Sequence, residues 1–125
     1  MEDLIKHLKL LKKKGVVAIK QSLEDEGASY DDLLLMRKVT NLSLLKLDIK
    51  IGGCEAKNDI HFCKKIKVDG IIAPMVESDY ALVKFIQVVR NNPISKGGGK
   101  IKTNIDFLKV IETGDSTNNI RIMDG

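Results

Sequence analysis

Two short apolar runs, separated by a segment with helical spacing, organise the centre of the chain. The runs cover residues 47–51 and 70–76, and each leads into small or polar residues where a helix would begin. Parallel strands require a long crossover connection, which a helix usually supplies. The pattern therefore predicts a βαβ unit. In such folds the site lies just past the carboxyl ends of the strands, here at residues 50–55 and 74–78.

The pattern of apolar residues predicts more elements before this unit. Apolar residues at helical spacing indicate a helix over residues 3–14, and Gly15 is a natural end for it. The β-branched run at residues 16–19 predicts a buried strand. Ser29 is expected to cap a second helix that ends near residues 41–43, because a serine hydroxyl accepts a hydrogen bond from a first-turn amide.

Within and after the central unit, the pattern predicts two further helices. One covers roughly residues 54–67. Pro74 ends the strand that follows it, because proline cannot donate to a sheet. Ser78 is then expected to cap the last helix, which the Asn-Asn-Pro sequence at residues 91–93 stops.

The periodicity weakens after residue 92. A fourth strand over residues 101–105 and part of a helix over residues 107–111 are expected, and residues 93–125 as a whole are loosely defined. Strand starts near residues 16, 47, 70 and 100 give a repeat of roughly 23–31 residues. A closed barrel of eight such units takes about 250 residues. We therefore expect one α/β domain over residues 1–125, built from parallel βα repeats that amount to about half a barrel.

Charge and composition exclude some classes of protein and leave others. The net charge of +4 is mildly basic, but the lysines are scattered and lack aromatic neighbours, which favours solvated helix faces over a nucleic-acid interface. No apolar run approaches a membrane span, and the first 14 residues carry charges throughout, unlike a signal peptide. We expect a cytoplasmic protein without nucleic-acid or membrane partners.

The two cysteines, Cys54 and Cys63, are not expected to form a disulfide. The pattern places both on the helix over residues 54–67, nine residues apart. That spacing corresponds to about 13 Å along a helix, which is too far for a disulfide bond. We therefore expect two reduced thiols.

Two loops carry candidate chemistry. Three adjacent acids, Glu24-Asp25-Glu26, precede Gly27. They form either an exposed loop with the glycine at its turn, or a loop that points one acid, Glu26 or Glu24, into a site above the sheet. The second loop contains Gly52 and Gly53, whose exposed amides at a helix start can hold an anion.

Three blocks of sequence, in order, resemble the HpcH/HpaI aldolase and citrate lyase family. They are the Ile-Lys-x-x-x-Glu-x-Glu-Gly pattern within residues 15–27, the Lys-Ile-Gly-Gly-Cys-Glu-Ala segment at residues 50–56, and the Ile-Ala-Pro-Met-Val-Glu-Ser segment at residues 72–78. The resemblance covers roughly residues 10–90. It implies a TIM-type barrel and a carbon–carbon lyase that acts on a 2-oxo acid or an acyl-CoA with a divalent metal, Mg²⁺ or Mn²⁺.

The resemblance also implies roles for particular residues. Lys50 falls near the position where aldolase relatives place an arginine that binds the substrate carboxylate. Gly52, Gly53 and Glu77 are expected at the same carboxyl edge of the sheet, as further substrate-binding residues. Relatives carry a histidine at the end of the first strand. This chain has Gly27 there, with Glu24 and Glu26 just before it, so the family's usual proton-transfer residue is missing. Glu26 and Lys50 are the candidate catalytic residues.

The metal ligands implied by the resemblance lie near the end of the chain. They are Glu112, in an Ile-Glu-Thr sequence, or Asp106, at the end of the expected fourth strand. Asp124 sits in no recognisable context for a second ligand.

Three functional interpretations remain open. The chain is a lyase that works as a homo-oligomer of half-barrels, because association covers open strand edges and an uncovered barrel interior. Alternatively it is a non-catalytic truncated half-barrel. The third interpretation is a small-molecule or anion-binding α/β module.

Overall fold

The computed structural model describes residues 1–91 and 120–123. These residues form four helices and four strands. In chain order the elements are α1 (Glu2–Lys13), β1 (Ala18–Ser22), α2 (Tyr30–Ser43), β2 (Lys46–Lys50), α3 (Lys57–Lys65), β3 (Gly70–Ala73), α4 (Asp79–Asn91) and β4 (Ile120–Met123).

One four-stranded sheet has the order β1-β2-β3-β4. The first three strands are parallel neighbours, so the predicted βαβ unit and the α/β class are confirmed. The fourth strand runs antiparallel to β3. It therefore does not extend the parallel repeat, which departs from the expected series of parallel units. The fourth strand expected over residues 101–105 lies outside the described residues.

The apolar face of the sheet packs against the helices. Side chains alternate between the two faces of a strand, and Leu47, Ile49 and Ile71 are buried on the same face. They join one hydrophobic cluster with buried residues of α2, α3 and α4. Those helix residues are Leu33, Ile60, Cys63, Leu82, Phe85, Val88 and Val89.

The opposite face carries polar and charged side chains. The strand register pairs Lys20 with Asp48, Ser22 with Lys50, and Lys50 with Ile72. Register partners on neighbouring strands point to one side of a sheet, so these residues share a face. A packed helical layer over this face would have to desolvate charges, which is costly. Ser22 and Asp48 on this face are nevertheless buried, whereas the Lys20 side chain is 45% exposed, so the face is polar and only partly open to water.

The first strand differs from its prediction. The sequence predicts a buried strand over residues 16–19, whereas pairing with β2 begins at Ala18 and continues to Ser22. Val17 lies before the strand and is 73% exposed. Among the strands that the structure describes, β1 stands at the end of the sheet order and pairs with β2 alone, so Val17 just before it gains no cover from a second neighbouring strand.

Local signals fix the helix ends close to their predicted places. Gly15 follows α1 with a φ of 98°, a left-handed conformation that favours glycine. Ser29 caps α2 through a reciprocal arrangement with Asp32, in which each side chain accepts a hydrogen bond from the other residue's backbone amide. Ser78 accepts a hydrogen bond from the Ala81 amide at the start of α4. These ends confirm the predicted caps.

No helix within residues 1–91 and 120–123 combines the length and apolar character needed to cross a bilayer.

Candidate functional site

The carboxyl ends of the parallel strands meet at one edge of the sheet. The Leu23 amide donates to the Lys50 carbonyl at 2.9 Å, and the Ile51 amide donates to the Ile72 carbonyl at 3.0 Å. The loops that leave the three strands therefore begin side by side. We call this region the rim: Lys50 together with residues 23–28, 51–56 and 74–78.

Lys50 is the cation at the centre of the rim contacts. Its Nζ lies 2.6 Å from Asp25 Oδ2 and 3.5 Å from Glu24 Oε2. The Lys50 side chain is 12% exposed, so most of it is shielded from water. The hydrogen bond to Asp25 raises the pKa of Lys50, and the same bond lowers the pKa of Asp25. The lysine therefore remains charged at neutral pH.

Glu26 has different partners from Glu24 and Asp25. Its Oε2 accepts a hydrogen bond from the Ser22 amide at 2.9 Å, and its Oε1 lies 3.2 Å from Lys20 Nζ. The backbone hydrogen bond from Ser22, followed by the bond from Lys20, lowers the pKa of Glu26. A carboxylate with a lowered pKa is a weaker base. The contacts of Glu26 therefore favour a role in anchoring the loop.

The acidic loop has a defined fold. The Asp25 amide donates to Ser22 Oγ at 2.9 Å, and Gly27 completes the turn with a φ of 60°. The expected exposed loop with a glycine turn is confirmed. Its acids also contact Lys20 and Lys50 on the sheet. Asp25, which the sequence analysis did not single out, makes the shortest contact to Lys50. The register of Ser22 beside Lys50 brings the two together.

A network around Asp59 holds the Gly52-Gly53 loop. Asp59 Oδ2 accepts a hydrogen bond from the Gly52 amide at 2.9 Å, and its Oδ1 accepts one from Tyr30 Oη at 2.7 Å. A Cβ atom at Gly52 would lie 3.2 Å from Asp59 Oδ2, whereas one at Gly53 would meet open space. The Gly52 amide, a predicted anion donor, is therefore engaged by an internal carboxylate. Gly53 retains room for a ligand to approach.

Asp59 explains a difference in helix length. The predicted helix begins at residue 54, but α3 begins at Lys57. The three residues before Lys57 form part of the loop that Asp59 ties back to Gly52. On the other side of the network, the Tyr30 ring stacks on Phe62 with centroids 4.3 Å apart and planes 9° apart. The hydrogen bond to Asp59 raises the pKa of Tyr30 to about 12.

The third loop of the rim contacts the second through a thiol. Cys54 Sγ donates to the Pro74 carbonyl at 3.3 Å, and both cysteines are free, as predicted. Cys54 lies outside α3, so its predicted place on that helix is wrong. Burial raises the pKa of the Cys63 thiol to about 12. Glu77, a predicted substrate-binding residue, lies exposed on this third loop.

The predicted metal ligands Asp106 and Glu112 lie outside the described residues, as does Asp124. Over residues 1–91 and 120–123, no group of three or more histidine, cysteine, aspartate and glutamate side chains is arranged to hold a metal ion. The metal therefore stays a prediction of the sequence.

Comparison of the chain with protein-family models, curated proteins and solved structures gave no match.

Proposed function

We propose that this chain forms part of a TIM-type β/α barrel that cleaves or forms a carbon–carbon bond beside a 2-oxo acid or an acyl-CoA. In this proposal Lys50 binds the carboxylate of the substrate at the rim. The sequence resemblance to the aldolase and citrate lyase family supports the reaction class. The parallel order of β1, β2 and β3 supports the barrel.

The observation that carries the proposal is the contact of Lys50 with Asp25. A lysine at the carboxyl end of a parallel strand holds a carboxylate 2.6 Å from its Nζ. A lysine ammonium supplies a positive charge and three donors without the two-pronged geometry of arginine. Such a group suits a small carboxylate that approaches above the sheet.

The proposed reaction can be written for a 4-hydroxy-2-oxo acid. The bond between C3 and C4 breaks as the 4-hydroxyl proton leaves, which gives an aldehyde and the enolate of the 2-oxo acid. A proton then adds at C3. Glu26 is the sequence candidate for handling protons, and Lys50 stabilises the carboxylate end. A divalent metal held by Glu112 or by Asp106, the alternative ligands that the resemblance implies, would supply a Lewis acid for the negative charge that develops.

The binding step is tested by isothermal titration calorimetry with pyruvate, in the presence and absence of Mg²⁺. Wild-type protein is expected to bind pyruvate, and Lys50→Gln is expected to weaken binding by about tenfold or more, because a charged hydrogen bond is lost. Lys9→Gln is the matched control, since Lys9 is an exposed lysine on α1 with the same change of charge. Equal binding by both variants would contradict the proposal.

A second candidate function is a small-anion-binding α/β module without catalysis. It is favoured by the contacts of Glu26, since its bonds to Ser22 and Lys20 lower its pKa and weaken it as a base. Release of pyruvate from a 4-hydroxy-2-oxo acid, assayed with Mg²⁺, separates the two functions. Turnover that Lys50→Gln reduces supports the lyase. Pyruvate binding without any turnover supports the binding module.

A further inference from the structure

Asp25 lies where a carboxylate ligand of Lys50 would have to lie. Its Oδ2 is 2.6 Å from Lys50 Nζ, and the lysine side chain is 12% exposed. The Asp25 side chain itself is 53% exposed, so its carboxylate borders on solvent. An incoming carboxylate therefore competes with Asp25 for Lys50 Nζ, and the half-exposed Asp25 side chain has solvent to move into.

We propose that Asp25 is an internal stand-in for the ligand carboxylate, and that a bound ligand displaces the Asp25 side chain from Lys50 while the rest of the acidic loop stays in place. The inference rests on the proposed binding role of Lys50. It adds that the free protein is self-capped, meaning that its own Asp25 occupies the ligand position on Lys50, and that Asp25 sets the affinity of the rim for small carboxylates.

The rest of the loop is anchored by contacts that do not involve the Asp25 side chain. Glu26 accepts the Ser22 amide at 2.9 Å and pairs with Lys20 at 3.2 Å. The Leu23 amide donates to the Lys50 carbonyl at 2.9 Å. Even the Asp25 backbone is held separately, because its amide donates to Ser22 Oγ. Rotation of one side chain is therefore enough to open Lys50.

The exchange keeps Lys50 paired throughout. Removing the only partner of a largely covered charge is unfavourable, but here one carboxylate replaces another. Glu24 Oε2 lies 3.5 Å from Lys50 Nζ and is a second carboxylate partner that does not depend on Asp25. The displaced Asp25 carboxylate regains water, and partly exposed ion pairs of this kind are weak. Self-capping therefore lowers the apparent affinity for a ligand without preventing binding.

The test compares pyruvate binding by wild-type protein, Asp25→Asn and Asp3→Asn, measured by calorimetry at one pH and ionic strength. Asp25→Asn removes the competing charge and is expected to tighten binding by up to about fivefold, the factor that corresponds to a partly exposed ion pair. Asp3→Asn makes the same change of charge in the first turn of α1, at a residue outside the rim as defined above, and is expected to bind as the wild type does.

A second measurement follows the Asp25 carboxyl carbon by NMR in the wild-type protein. In the free protein the bond to Lys50 lowers the pKa of Asp25. Saturation with pyruvate is expected to raise that pKa back toward 3.8, the ordinary value for the side chain. A residue with a structural role alone would keep its lowered pKa.

Each result decides the matter. Tighter binding by Asp25→Asn together with the rise in the pKa of Asp25 supports displacement. Weaker or unchanged binding by Asp25→Asn, or an unchanged pKa at saturation, overturns it while leaving the Lys50 site intact. If wild-type protein and Asp25→Asn both fail to bind pyruvate, the proposed function fails and this inference fails with it.

Discussion

Lys64 is a buried cation between α3 and α4. Its Nζ donates to the Val89 carbonyl at 2.7 Å, and the residue is 9% exposed. Val89 lies in the last turn of α4, where carbonyl groups and the helix dipole favour a positive charge. Desolvation nevertheless dominates and lowers the pKa of Lys64 to about 8. The protonation state of Lys64 is therefore expected to change the stability of the folded protein.

The pH dependence of stability is predicted to contain a contribution from Lys64. Between pH 8 and pH 10.5 the unfolded chain keeps the Lys64 proton that the folded protein has released. Stability therefore rises with pH across this window. Lys64→Met lacks this contribution. The unfolding free energy of the wild type is therefore expected to increase relative to that of the variant as the pH is raised.

The measurement is urea unfolding at several values of pH, with Lys65→Met as the matched control. Lys65 is the exposed neighbour on α3, and its replacement makes the same change of residue at a solvated position. A difference between wild type and Lys64→Met that stays constant from neutral pH to pH 10.5 would contradict the account.

Tyr30 is predicted to ionise at a higher pH than an ordinary tyrosine. Its hydroxyl donates to Asp59 at 2.7 Å, and loss of the proton would place two negative charges together. The difference in phenolate absorbance between wild type and Tyr30→Phe should give a pKa of about 12. Asp59→Asn should bring that pKa down toward 10.0, because the neighbouring charge is gone. Ionisation of Tyr30 at the same pH in both proteins would rule out the contact.

At the scale of single residues, the sequence identified the charges of the rim but not their partners. Lys50, Glu24 and Glu26 follow from their places after strands. Asp25 and Asp59 were missed, because an aspartate's partner depends on how a loop folds back, and no spacing rule specifies that. The position of Asp59, seven residues after Gly52, is a signal that could have indicated its hydrogen bond to the Gly52 amide.

At the scale of elements, caps and breakers predicted helix and strand ends well. Ser29, Gly15, Pro74 and Ser78 act within one or two neighbours of their own position, so the sequence contains the relevant information. The start of β1 was wrong, because strand bounds depend on which residues of β2 lie opposite. That pairing is a property of the folded sheet.

The cap of α2 gives a prediction for an element. Ser29 Oγ accepts the Asp32 amide at 3.2 Å and donates to Asp32 Oδ2 at 2.7 Å. Ser29→Ala is expected to lower the free energy of unfolding by about 1 kcal/mol, the usual contribution of such a cap. The hydrogen bond from the Ser29 side chain lowers the pKa of Asp32. Part of the contribution is therefore present above pH 3.8 and lost in more acidic solution.

A double-mutant cycle measured by urea unfolding checks this cap. Since Ser29 and Asp32 act together, the double variant with alanine at both positions should lose less stability than the two single variants combined. Strict additivity of the two changes would show that the reciprocal contacts do not contribute.

At the scale of the whole molecule, β1 is the end strand of the sheet order. A homo-oligomer is predicted from the sequence, and Val17, 73% exposed beside β1, lies where a second copy could pair. Sedimentation velocity is expected to show association that increases with concentration. Val17→Lys should weaken it, because a charged residue near a strand edge opposes pairing. A monomer at every concentration would remove this prediction.

The three parallel strands and the charge on one sheet face are the features on which the functional account depends. Sequence periodicity predicted the parallel order, since each strand is followed by a helix of crossover length. The antiparallel β4 could not be predicted, because its partner β3 lies some 50 residues earlier in the chain. Pairing over such a separation depends on the tertiary fold.

The most direct test of the central claim is an NMR titration of the lysine ammonium and backbone amide signals with pyruvate. The account predicts that the Lys50 Nζ signal shifts together with the amides of residues 23–27 and 51–54, while the exposed lysines of α1 stay in place. A Lys50 signal that does not move as pyruvate is added would contradict the assignment of this rim as a carboxylate-binding site.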